Sequence, residues 1–217
     1  MSADRAPAAL IWSLGVTQII GYGTLFYSYA ILAPSVSAAL GWPKQWIFAA
    51  LSLSLVAGSL VAPTAGRLAD RHGAGRAMSW ESLAASVALG LAAAAPNAYA
   101  FVGALLAMQV AASFVLYSTA FVAIVQIGGQ RASLSITHLT LIAGFASTVF
   151  WPVTTWLHEV LDWRQVFLVF AALHFFVCLP LHAWIAGHAR RARAAAAQSV
   201  VVAEPAHHTV ASSAGRR

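Results

Sequence analysis

Residues 66–76 read Gly-Arg-Leu-Ala-Asp-Arg-His-Gly-Ala-Gly-Arg and pack three arginines, an aspartate and three glycines between two long apolar runs. The rest of the chain avoids charge. Of its 217 residues only 8% are charged and 60% are hydrophobic, with a mean hydropathy of +0.77. A soluble domain carries roughly 25% charged residues, so a membrane protein is the expectation. Working outward from the quoted stretch, no Asp, Glu, Lys or Arg falls between Arg5 and Lys44, Lys44 and Arg67, Glu81 and Arg131, Arg131 and Glu159, or Arg164 and Arg190. Each gap is long enough for at least one span of about 20 residues.

Six segments qualify: 9–33, 45–65, 78–95, 98–127, 133–157 and 164–187. The gap from Glu81 to Arg131 takes two of them, because Ala95-Pro96-Asn97 interrupts it with turn chemistry. None shows the alternating pattern of barrel strands. The expected fold is therefore an all-α integral membrane protein with six transmembrane helices. Residues 1–8 form its N-terminus, 9–189 the six-span unit and 190–217 a basic tail. The tail lacks helical periodicity beyond residue 193 and reads as disordered. The first apolar run is longer than the 7 to 15 residues of a signal-peptide core and reads as a retained span. Cys178 is the only cysteine, so no intrachain disulfide is possible.

Orientation follows from the basic residues of the short loops. With the N-terminus inside, Arg5, Arg67, Arg71, Arg76, Arg131, Arg190, Arg191, Arg193, Arg216 and Arg217 lie on the inner side, and Lys44 and Arg164 outside. This places both termini in the cytoplasm. Tryptophan favours membrane interfaces; Trp12, Trp80 and Trp184 fall at inner ends, and Trp42, Trp46, Trp156 and Trp163 at outer ends. The net charge of +6 is spread over inner loops without interleaved aromatics, which argues against nucleic acid. Anionic lipid of the inner leaflet is the expected partner, above all at Arg190, Arg191 and Arg193.

On this topology the quoted stretch is the inner loop between spans two and three. Pro63 and Gly66 are expected to close the second helix, and Gly73 and Gly75 to permit a tight reversal. A preference for positive charge inside accounts for the arginines and not for Asp70. The order Gly-x-Leu-Ala-Asp-Arg-x-Gly-x-x-Arg resembles the loop signature of the major facilitator superfamily, with Gly66, Leu68, Asp70, Arg71, Gly73 and Arg76 at the positions the pattern requires. Residues 21–34 (GYGTLFYSYAILAP), 144–152 (GFASTVFWP), 161–164 (LDWR) and 173–182 (LHFFVCLPLH) resemble bacterial monocarboxylate-permease-like members. The resemblance covers residues 9–187.

That resemblance implies a transporter of two six-helix halves, each made of two inverted three-helix repeats, with this sequence as the N-terminal half. FYSYAI at 26–31 and LYSTAF at 116–121 echo each other as repeat mates would. The resemblance also implies that Asp70 belongs to a conformational latch and that the first and fourth spans line the cavity. Candidate lining residues are Gln18, Tyr22 and Tyr27 or Tyr29 on the first, and Gln109, Tyr117 and Ser118 on the fourth. For each, hydrogen bonding between helices is the competing reading. Ser118 stands where an acidic residue is expected, which weakens proton coupling through that position. His138 in the fifth span, with Arg131 at the membrane edge, suits attraction of an anion, since histidine titrates near neutral pH; a packed donor and a loop anchor are the plainer readings.

His174, Cys178 and His182 share one face of the sixth span. They extend over about 12 Å by the helical rise, too far to enclose one metal ion, and packing is expected. No metal or cofactor is implied. Ser82, Ser86 and Gly90 form a small-residue stripe suited to close helix approach. No Gly-x-Ser-x-Gly elbow, His-Glu-x-x-His or intramembrane acid pair suggests an enzyme. The sequence reads as the N-terminal half of a secondary transporter for a small solute, an organic anion. It would work with a second six-helix half, a separate chain or a second copy. The alternative is a truncated or split, non-transporting remnant or partner subunit.

Overall fold

The structure, a computed structural model, describes residues 8–115, 117–128 and 132–203, and the side chains of these except at 115, 117–118, 127–128 and 192–203. Six helices are long and apolar enough to cross a membrane: α1 (Ala8–Leu40), α2 (Lys44–His72), α3 (Ala74–Ala94), α4 (Ala98–Gln126), α5 (Ala132–Val160) and α6 (Trp163–Arg191). No strand occurs among the described residues. The chain is thus an all-α, multi-pass membrane protein, each helix matching one of the six apolar segments.

Local chemistry sets the turns. Gly41 ends α1 with φ +67°, the left-handed conformation glycine adopts without a Cβ clash. The Asn97 side chain accepts the Ala100 N–H at 3.0 Å and starts α4. Asp162 starts α6 with a capping box: its carboxylate accepts the N–H groups of Arg164 and Gln165, and the Gln165 side chain accepts the Asp162 N–H. Arg164 then donates to the carbonyls of Ala93 and Ala95 at 2.6 and 2.8 Å. One cation thereby serves the orphan carbonyls at the end of α3.

Three helix pairs carry much of the packing: α1 with α5, α2 with α4, and α3 with α6. Exchanging the first three helices with the last three turns α1–α5 into α4–α2 and leaves α3–α6 unchanged, as two three-helix repeats require. The same exchange maps α3–α4 onto α6–α1, a thinner contact. At the end of the bundle away from residues 66–76, Phe101, Trp163, Phe167 and Tyr29 form a buried aromatic cluster. Trp163, the first residue of α6, is only 5% exposed, because edge-on contacts with Phe101 and Phe167 draw its ring into the bundle.

The structure corrects three expectations. Pro63 and Gly66 do not end the second helix: α2 passes through both and stops at His72. In membrane helices neighbouring groups re-satisfy the backbone a proline frees, and the charged last turns project beyond the apolar part. Gly75 does not serve the reversal. A Cβ there would lie 2.6 Å from the Ala186 Cα, so this glycine lets α3 and α6 touch backbone to backbone. Ser86 donates to the Ala171 carbonyl at 2.9 Å, but nothing lies within 4 Å of a Cβ at Gly90, so the stripe packs at its serines only. The tail also differs in its described part, since the last helix continues to Ala203. The run Ala194–Ala197 favours helix on propensity alone. Residues 204–217 lie outside the described residues.

Candidate functional site

Two places concentrate polar chemistry, one inside the bundle and one at its end. The first is a pair of π-helical turns. In α1, Gly23–Tyr27 winds wider than an α-helix, and the Ser28 N–H bonds the Gly23 carbonyl five residues back. In α6, His174–Cys178 does the same, with the Leu179 N–H on the His174 carbonyl. Such turns gather at functional positions in helices. They meet here: Thr24 Oγ1 lies 2.8 Å from His174 Nε2, both buried. Thr24 Oγ1 is also 2.8 Å from the Ile20 carbonyl, so the hydroxyl can donate to that carbonyl and accept from the imidazole N–H.

Two other helices close on the α1 turn. From α4, Gln109 Nε2 donates to the Leu25 carbonyl at 2.9 Å. From α5, the Phe150 ring occupies the space a Cβ at Gly23 would need, only 2.0 Å from its Cγ. Gly23 is therefore required by sterics, and four of the six helices join at one turn. Gln109 thus takes the role between helices weighed for it above. Gln18 is fully buried. Tyr29 is turned into the aromatic cluster, donating to the Ile47 carbonyl at 2.7 Å. Tyr22 and Tyr27 are half-buried, the latter edge-on to Phe26. His138 is exposed on α5. The side chains of Tyr117 and Ser118 lie outside the described residues, as does Arg131; with Tyr117 and Ser118 goes the side-chain test of the LYSTAF echo.

Further along α6, Ser82 Oγ of α3 is 2.7 Å from His182 Nδ1. His174 and His182 thus face hydroxyls on two different helices. No group of three or more His, Cys, Asp or Glu residues suited to a metal occurs among the described residues. Sequence reasoning missed the two π-helical turns. The available signal was the pair Gly23-Thr24 in one span and His174 in another, but nothing in either segment names the other.

The second place is the α2–α3 junction. Here α2 runs to His72, Gly73 turns the chain with φ +91°, and α3 begins at Ala74. One glycine replaces the loop foreseen from the sequence. The Ala74 N–H donates to Gln126 Oε1 of α4 at 3.3 Å, which fastens the junction to the end of that helix. Arg67, Leu68, Asp70, Arg71 and Arg76 are exposed, while Gly66 and Gly73 are half-buried. Arg67 donates to Thr64. The Asp70 carboxylate makes no hydrogen bond or ion pair among the described residues. Leu68 and His72 border an apolar groove of about 590 Å3 between α2, α3 and α4, whose other walls include Trp80, Val110 and Phe114.

A family model of the Major Facilitator Superfamily matches residues 14–212. No curated protein and no solved structure matches the chain.

Proposed function

The chain belongs to the major facilitator superfamily, and from that premise we propose that it carries a small organic anion as the N-terminal half of a two-half secondary carrier in the bacterial plasma membrane, with both termini cytoplasmic. Membership makes it a transmembrane transporter of that superfamily. Alternating access in such carriers is rocking of one half against the other around a central site. The observation that carries the reading is the junction. Asp70 stands exposed at a one-residue turn, without a partner among the described residues, where a second half would dock and be braced by it.

The anion follows from the monocarboxylate-permease-like stretches and from His138, exposed on α5. Tyr22 and Tyr27 complete the proposed cavity side, with Tyr117 and Ser118 as its members on α4. Gln18 and Gln109 are buried in the six-helix unit, so they support the cavity wall from behind. A lone unit then exposes fewer polar groups to lipid than an open cavity lined by both glutamines would. The partner half is a separate chain or a second copy.

Purified chain in lipid nanodiscs, sized by native mass spectrometry and reconstituted into proteoliposomes, tests this. Saturable uptake of a small monocarboxylate is expected from a two-unit species. Saturable uptake by a strictly monomeric species would overturn the half-carrier reading. A two-unit species that moves no organic anion would overturn the solute assignment.

A further inference from the structure

We propose that the groove between α2, α3 and α4 binds one anionic glycerophospholipid, with its phosphate held between Arg76 and Arg190 and an acyl chain laid along α3. The groove lining on α3 runs from Arg76 to Ala84, about 12 Å of helix by the rise per residue. That is close to the roughly 15 Å depth of one leaflet, half of a hydrocarbon core of about 30 Å. The walls are apolar, with Leu68, Ala77, Val110 and Phe114 along them and the exposed indole of Trp80 beside them, where an aromatic ring suits the headgroup level.

The mouth supplies the charge. At His72 and Arg76 the groove adjoins a smaller hollow of about 110 Å3, whose other wall is Ala186, Ala189 and Arg190 of α6. Two arginines from different helices border this hollow, and guanidinium is the side chain best suited to a phosphate. The one acid bordering the groove is Glu81, itself buried at 3% exposure and five residues along α3 from Arg76. A second transporter half is a poor occupant. Leu68 and His72 stand two residues either side of Asp70, roughly 200° around α2, so the groove opens away from the proposed docking carboxylate. Which leaflet supplies the lipid rests on the proposed orientation; binding itself does not.

Delipidated full-length chain in detergent is titrated with phosphatidylglycerol or with phosphatidylcholine of the same acyl chains, and bound lipid is counted by native mass spectrometry, a readout blind to sidedness and to transport. One phosphatidylglycerol per chain is expected, with phosphatidylcholine bound far more weakly. R76Q/R190Q should weaken retention by about tenfold or more, whereas R67Q/R71Q, which removes two exposed charges that do not border the groove, should leave it unchanged. Ala107→Phe fills the apolar part without touching a charge and should also weaken retention, which keeps the test valid if the double arginine variant misfolds. Absence of bound lipid, equal binding of the two lipids, indifference to both groove variants, or equal loss in R67Q/R71Q would overturn the proposal. So would a copurifying polypeptide that displaces the lipid.

Discussion

The turn where α1, α4, α5 and α6 meet and the junction between α2 and α3 are both rich in polar atoms, yet they use them in opposite ways. At the first, Thr24, His174 and Gln109 each have a partner inside the bundle and a glycine is filled by a phenyl ring. At the second, Asp70, Arg71 and Arg76 are turned outward. Buried polar groups in lipid must be satisfied internally, so the first place is a fastening that holds four helices in one arrangement. Exposed charges at a helix junction cost little to leave open, so the second is available to a partner. Within one six-helix unit, polarity by itself does not separate a fastening from a surface left open; the state of its hydrogen bonds does.

The strongest way to break this contrast is steric. Gly23→Ala forces a Cβ against the Phe150 ring, and overpacking of this kind costs about 1–3 kcal/mol. A thermal unfolding midpoint in detergent should fall by several degrees, and the paired change Gly23→Ala/Phe150→Leu should recover much of it. An unchanged midpoint for the single variant would mean that the turn is loosely packed and the fastening is not one.

A smaller effect is expected from its hydrogen bond. In a double-mutant cycle of Thr24→Val and His174→Leu, the coupling energy should be about 0.6 kcal/mol, the average for hydrogen bonds between membrane helices, and no more than about 1.7 kcal/mol. A coupling near zero would detach the two π-helical turns from each other. Smaller still is the expected stability change for Asp70→Asn, within about 0.5 kcal/mol as for other exposed sites. In a reconstituted two-half carrier the same variant should slow turnover about tenfold, equivalent to roughly 1.4 kcal/mol in the barrier, at nearly constant substrate affinity. Lost affinity with normal turnover would move Asp70 from latch to ligand.

The last test leaves stability untouched and asks which end of the bundle faces the cytoplasm. In a Cys178→Ala background, cysteines at Ser133 and Glu159, exposed near the two ends of α5, should label oppositely with an impermeant thiol reagent, Glu159→Cys from outside and Ser133→Cys only after the membrane is opened. Labelling of Ser133→Cys alone from outside would invert the topology.

The six spans were legible because charge is excluded from lipid, so the gaps between charged residues measure the helices directly. The junction motif was legible as an order of residues, while its shape was not. Charge and glycine were read as a loop, but α2 keeps its helical hydrogen bonds through Gly66 and on to His72 because its charged last turns can extend past the apolar region. Gly73 and Gly75 look alike in sequence and differ in cause: one has a positive φ, the other a neighbouring helix at van der Waals distance. The π-helical turns were hidden for a related reason. A wider turn is paid for by contacts from elsewhere in the chain, here Phe150, Gln109 and His174, and local propensity carries no record of them.

The wide turn in α1 also acts on everything beyond it as a change of phase. Before it, the buried positions are Leu10, Leu14, Gly15, Thr17, Gln18, Ile20 and Gly21; after it they include Leu25, Ser28, Tyr29, Leu32, Ala33, Val36 and Ser37. Continued at 3.6 residues per turn from Leu10, an uninterrupted helix would bring positions near 28 and 35 to the centre of the buried face. The later set lags that count by nearly one residue. Removing a single residue from Gly23–Tyr27 would keep the span long and apolar by any reading of its composition. It would also let an ordinary α-turn take the place of the wide one and keep the later set, with the Tyr29 hydroxyl at the Ile47 carbonyl, facing inward, so one extra residue in the count is what the wide winding absorbs.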